Sequence, residues 1–146
     1  MTLLRTSVRG IKLIKQFEGL RLQPYLCSAG YQTIGYGHMM PFPMPQDEEM
    51  TEAQAESLLH DDLALTEASL RRLIHVPLTQ NQFDALISFT FNLGAGALQR
   101  STLRRKVNDQ CHEEVPRELR RWVFAGGRRN LGLLKRRRAE ALFYCS

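Results

Sequence analysis

Twice in this chain a threonine stands three residues ahead of a glutamine at the head of an apolar stripe: Thr51 with Gln54, and Thr79 with Gln82. In such a capping box each side chain satisfies a backbone N–H that the first helical turn would leave without a partner. Behind the first box Ala55, Leu58, Leu59, Leu63, Thr66 and Leu70 recur at helical spacing and predict a helix of about twenty residues. Behind the second, Phe83, Leu86, Ile87 and Phe91 mark a strongly apolar helix that ends near Gly94-Ala95-Gly96 and is expected at the centre of the core. Further helices are predicted over 101–108, 112–124 and 132–144, separated by Asn108-Asp109 and by Gly126-Gly127.

The first fifty residues read differently. From Val8 the apolar residues Ile11, Ile14 and Phe17 keep helical spacing until Gly19, which predicts a helix over 7–18. Glu18 falls at i+7 from Ile11 and i+4 from Ile14, at the end of that helix and on the margin of its buried face. Burial there would raise the pKa of its carboxyl. The pattern then changes to short β-prone pieces over 20–25 and 31–36, split by Pro24 and by Ser28-Ala29-Gly30, which suits a small antiparallel sheet. The alternating prolines of 39–45 exclude a helix. The expected architecture is α+β in a single domain over residues 1–146. A small N-terminal antiparallel β lobe (19–46) and a larger helical lobe (51–146) would hold a cleft between them.

Glycoside hydrolysis requires a proton donor for the leaving oxygen and a second group across the sugar ring that activates water or attacks the sugar. Glu18 suits the donor. Around it run Phe17-Glu18-Gly19-Leu20-Arg21-Leu22, then Tyr25, then Gly30-Tyr31-Gln32-Thr33-Ile34-Gly35-Tyr36-Gly37-His38. This string resembles the catalytic segment of the phage T4-type lysozymes, glycoside hydrolase family 24, and P22-like members look nearest. The resemblance continues through Met50-Thr51-Glu52-Ala53, Leu78 to Leu86, Phe89 to Gly94, Ser101-Thr102-Leu103 and Arg136 to Phe143. It implies a lysozyme-like fold and an endolysin that hydrolyses the β-1,4 bond between N-acetylmuramic acid and N-acetylglucosamine in peptidoglycan. Glu18, Cys27 and Thr33 would then be the catalytic set.

Cys27 stands where better-known members of the family carry Asp. An ordinary thiol is mostly protonated at neutral pH and makes a poorer base than a carboxylate. Two roles stay open: a thiolate that attacks or stabilises the oxocarbenium-like centre, or a group that helps order a water also held by the Thr33 hydroxyl. In an alternating strand Tyr31, Thr33 and Gly35 share a face, and Gly35 would leave room for a sugar close to the backbone. The resemblance also implies a His38–Asp62 ion pair joining the lobes, an arginine folding back onto Glu18, and cleft-lining roles for Gly37, Met39, Phe91, Asn92 and Ser101. On periodicity alone Phe91 is a core residue.

Composition removes other classes. With 146 residues, 43% of them hydrophobic, the chain can bury about 70% of its unfolded surface and fold alone. The three cysteines form neither a pairing set nor a zinc spacing, and no histidine stands in an HExxH pattern, so no metal or cofactor is expected. The net charge of +5 favours an acidic partner. The cluster Lys135-Arg136-Arg137-Arg138, with Arg128 and Arg129, could attract anionic wall polymer or membrane. It carries no zinc-finger, RNP or homeodomain pattern, so nucleic acid is not an expected partner. No membrane-length apolar run or signal h-region is present, which suggests synthesis in the host cytoplasm, release through a separate lesion, and action on the wall as a monomer. Two rivals remain at this level: a lytic transglycosylase, which needs one carboxylate, and a wall-binding protein with a silent site.

Overall fold

The computed structural model describes residues 3–26, 30–40, 45 and 49–146. Helix α1 (Val8–Glu18) starts at Ser7, whose hydroxyl accepts from the Gly10 N–H. Ser7 N donates to Asp84 Oδ1 at 3.1 Å and its hydroxyl donates to Asp84 Oδ2, so a buried carboxylate faces the positive end of the α1 dipole. Gly10 makes this approach possible, since a Cβ there would lie 2.6 Å from Asp84 Cγ. At the other end Gly19, with φ 71°, stops α1 directly after Glu18 and turns the chain into the sheet.

Strands β1 (Arg21–Leu26), β2 (Gln32–Gly35) and β3 (His38–Met39) form an antiparallel sheet in that order. Tyr25 and Met39 flank Thr33, and Ile34 faces His38. The short β3 extends the sheet beyond the two strands expected. Residues 41–44 of the proline-rich segment lie outside the described residues, as does Cys27.

Both capping boxes form, at the heads of α2 (Glu52–Leu73) and α3 (Gln80–Leu93). Every residue from Phe83 to Thr90 is buried, because α3 is packed by α7, α2 and α1. Helices α4 (Ala95–Gln99) and α5 (Thr102–Asn108) follow, α5 capped by the Ser101 hydroxyl. The helix expected over 112–124 is not formed. A 3-10 turn at His112–Glu114 leads into the short α6 (Val115–Leu119), where Pro116 sits in the first turn, the position at which its missing N–H costs nothing. Residues 124–129 instead make a hairpin, β4 (Phe124–Ala125) against β5 (Arg128–Arg129). Gly126 and Gly127 both have positive φ, 59° and 77°, as a tight hairpin turn with right-handed strand twist demands.

Helix α7 (Leu131–Cys145) closes the chain. One hydrophobic cluster runs through Ile14, Leu59, Leu70, Leu86, Phe89, Leu103, Leu119 and Tyr144, drawing on α1, α2, α3, α5, α6 and α7. No helix among the described residues is long and apolar enough to cross a membrane.

Candidate active site

Glu18, the last residue of α1, emerges where three elements meet. Its side chain is 17% exposed, and Arg136 of α7 donates from Nη1 to its Oε2 at 2.5 Å. The other carboxylate oxygen faces Gly37 in the β2–β3 turn, where a Cβ would collide with Oε1. One oxygen is therefore fixed by charge and the second is covered by bare backbone.

Arg136 is itself fastened. Its Nη2 donates to the Ser88 carbonyl at 3.2 Å, its Nε donates to Ser88 Oγ at 3.3 Å, and its guanidinium carbon lies 5.7 Å from the centre of the Phe17 ring. Ser88 Oγ in turn donates to Glu140 Oε2 at 2.6 Å. Arg137 Nε lies 2.7 Å from Glu140 Oε1, and Arg137 Nη2 donates to Glu140 Oε2 at 3.0 Å and to Asn92 Oδ1 at 2.8 Å. Two carboxylates and two guanidiniums thus balance within the helical lobe. Arg137 and Glu140 have no exposed side-chain surface and Arg136 only 4%, so each buried charge depends on its opposite. Burial pushes the Glu140 carboxyl above its ordinary value against the pull of Arg137, Arg136 and Ser88. Burial also pulls the Arg137 guanidinium down, against the pull of Glu140.

Arg136 is the arginine that folds back onto Glu18, and Arg137, expected among the outward-facing cations, turns inward as well. A helix turns about 100° per residue, so consecutive cations point in different directions. Arg136 and Arg137 face the core, while Lys135, Arg138, Arg128 and Arg129 are exposed. Ser88 and Glu140, which organise the site, were not singled out from sequence. The signal for Glu140 was its spacing at i+4 from Arg136 and i+3 from Arg137, and Ser88 had no local signal.

On the β side Thr33 is buried, and its Oγ1 donates to the Tyr31 carbonyl at 3.2 Å, which leaves its lone pairs to accept. Gly35 does not open space for a sugar. It is buried, and a Cβ there would meet Met50 Sδ at 3.4 Å and Ala55 Cβ at 3.5 Å, so Met50 and the first turn of α2 fill the face. His38 Nδ1 lies 2.8 Å from Asp62 Oδ2 and 3.1 Å from Oδ1, tying β3 to α2. Met39 is largely exposed, Phe91 is half-buried against the core, and Asn92 is held by Arg137. Ser101 is buried, donating to the Leu98 carbonyl at 2.7 Å and accepting from Arg104 N at 3.0 Å, so the structure gives its hydroxyl a capping task. Among the described residues one group of potential metal-ligating side chains occurs, Cys111, Glu113 and Glu114, where Glu114 is already paired with Lys106 at 3.3 Å.

Residues 15–140 match the family model described as phage lysozyme. The chain belongs to the phage lysozyme family. It is 45% identical over 142 residues to an endolysin of Acyrthosiphon pisum secondary endosymbiont phage 1, covering 94% of this chain and 96% of that one. It is 41% identical over 140 residues to an endolysin of Bacillus phage B103, covering 94% of this chain and 53% of that longer protein. Among solved structures, the muramidase domain of SpmX from Asticaccaulis excentricus superposes with a TM-score of 0.87 at 36% identity, covering 97% of this chain and 98% of that one. A P22 lysozyme mutant gives 0.85 at 34% identity, covering 98% and 99%. The lysozyme-like α+β fold is the one expected from sequence. A member of this family with this fold is a glycoside hydrolase of the endolysin type.

Proposed function

We propose that this chain is a peptidoglycan muramidase, cutting the β-1,4 bond between N-acetylmuramic acid and N-acetylglucosamine, with Glu18 as general acid. The observation that carries the reading is the asymmetric seat of the Glu18 carboxyl. Arg136 occupies Oε2, so the transferable proton belongs on Oε1, under the Gly37 turn. As Glu18 gives that proton to the glycosidic oxygen it becomes an anion, and Arg136 is already in place to stabilise the charge that develops.

Thr33 completes the site as an acceptor. Because its hydroxyl hydrogen is engaged by the Tyr31 carbonyl, Thr33 orients a water through its lone pairs and does not serve as the base. Cys27 follows β1 closely in sequence, and its role is thiolate nucleophile or water-ordering partner. His38 and Asp62 hold β3 on α2, Gly37 seats the acid, and Met39, Phe91, Asn92 and Ser101 belong to the glycan cleft or its walls. The exposed cations Arg128, Arg129, Lys135 and Arg138 favour approach to the anionic wall. The protein acts on the wall as a monomer.

The test is Glu18→Gln, which keeps size and hydrogen bonding but removes the proton. The folded variant should fail to clear suspensions of outer-membrane-permeabilised cells. Clearing at the wild-type rate would assign the lysis to a non-catalytic activity of the surface.

A further inference from the structure

Arg136 has little freedom to follow Glu18. Its Nη2 and Nε are held by the carbonyl and hydroxyl of Ser88, on the central helix α3, and only Nη1 reaches across to the end of α1. The Ser88 hydroxyl can accept from Arg136 because its own hydrogen is given to Glu140. Glu140 Oε2 also lies 3.4 Å from Arg136 Nε, so Arg136 meets an anion on each side, Glu18 toward the sheet and Glu140 toward the core. The remaining charged group of this cluster is Arg137, bound to Glu140 and Asn92. Of the other elements at Glu18, the β2–β3 turn offers the uncharged Gly37, Lys15 of α1 is engaged by Glu56, and Asp84 of α3 is engaged at the opposite end of α1.

We propose that Ser88 and Glu140 are positioning residues for the reaction: they form a rigid cradle for Arg136 that determines where its charge stands and how much of it Glu18 meets. This rests on the reading of Glu18 as the acid. Ser88 supplies geometry, since without its hydroxyl the Nε end of the guanidinium loses an anchor and Glu140 loses a donor. Glu140 supplies compensation. With it neutral, Arg136 and Arg137 face Glu18 with one anion fewer, which favours the ionised form of Glu18 and leaves less of the protonated form that catalysis uses.

The experiment compares Ser88→Ala, Ser88→Thr, Glu140→Gln and the exposed-charge control Lys12→Gln. It measures thermal midpoint, the pH profile of kcat/KM on purified sacculi, and the carbon-13 NMR titration of the Glu18 carboxyl. Ser88→Ala should lose roughly tenfold in kcat/KM, about 1.4 kcal/mol, and Ser88→Thr should recover most of it. Glu140→Gln should move both the alkaline limb and the Glu18 titration to lower pH, while Lys12→Gln moves neither. If Glu18 is not the acid, Glu18→Gln stays active yet the Glu18 titration still moves in Glu140→Gln, whereas an unmoved titration with Glu18→Gln inactive overturns the cradle alone. Should Glu140→Gln fail to fold, the Ser88 pair decides, and a folded Ser88→Ala with wild-type kcat/KM overturns the proposal.

Discussion

Replacing Gly37 by alanine separates what the β2–β3 turn does for folding from what it does for Glu18. Gly37 has φ 75°, so any L residue pays a left-handed backbone penalty of roughly 1–2 kcal/mol. For a domain of this size that lowers the thermal midpoint by about 2–8 °C. The added Cβ also overlaps Glu18 Oε1, and one of the two must move. Arg136 pins Oε2 and Ser88 pins Arg136, so the carboxyl can only swing away from the reacting position. A displacement near 1 Å at a catalytic group costs on the order of a hundredfold in rate. Gly127 is the matched control: its φ is 77°, and a Cβ there meets nothing within 4 Å. Turbidity clearing and thermal melting of both variants give the answer. Gly37→Ala should lose about two orders of magnitude in activity, and Gly127→Ala should melt at a similarly lowered temperature with full activity. Equal activities in the two variants would refute the packing of this turn onto the acid as a catalytic requirement.

Asp62→Asn removes the charge from the half-buried His38 pair, and should cost about 1 kcal/mol, read as a midpoint lower by a few degrees with kcat changed less than twofold. Glu56 is held below its ordinary value by the hydrogen bond from Lys15, so its contribution to stability is complete above about pH 4.5 and fades as pH falls through the lower folded value. Both groups are partly exposed, so the effect is small, and Glu56→Gln should flatten only the acid end of the midpoint-against-pH curve. In a Cys111→Ser, Cys145→Ser background, stoichiometric alkylation of Cys27 should abolish lysis. Full activity after alkylation would make that thiol a spectator.

The parts of the fold that sequence exposed most directly are those whose causes are local. Thr51 and Gln54, like Thr79 and Gln82, make their bonds within one turn, so the heads of α2 and α3 follow from four residues each. The β4–β5 hairpin was missed because apolar spacing from Val115 through Val123 permits a helix. The turn signal lay in Gly126-Gly127, read as a separator between helices instead of as a hairpin tip. Glu18 was visible from its place at a helix end and from the motif around it. The cradle behind it was not, since Ser88 lies 52 residues from Glu140 and 48 from Arg136, and a linear run of four cations conceals that two of them point inward. Asp84 was hidden for the same reason, its partner Ser7 being 77 residues away.

The most direct measurement of the central claim is mass spectrometry of muropeptides released from purified sacculi by the wild type and by Glu18→Gln. Proton donation by Glu18 followed by hydrolysis predicts disaccharide fragments with a free reducing muramic acid, each carrying one added water, from the wild type and none from the variant. A digest made only of anhydromuramyl fragments, or the same hydrolytic fragments from Glu18→Gln, would contradict it.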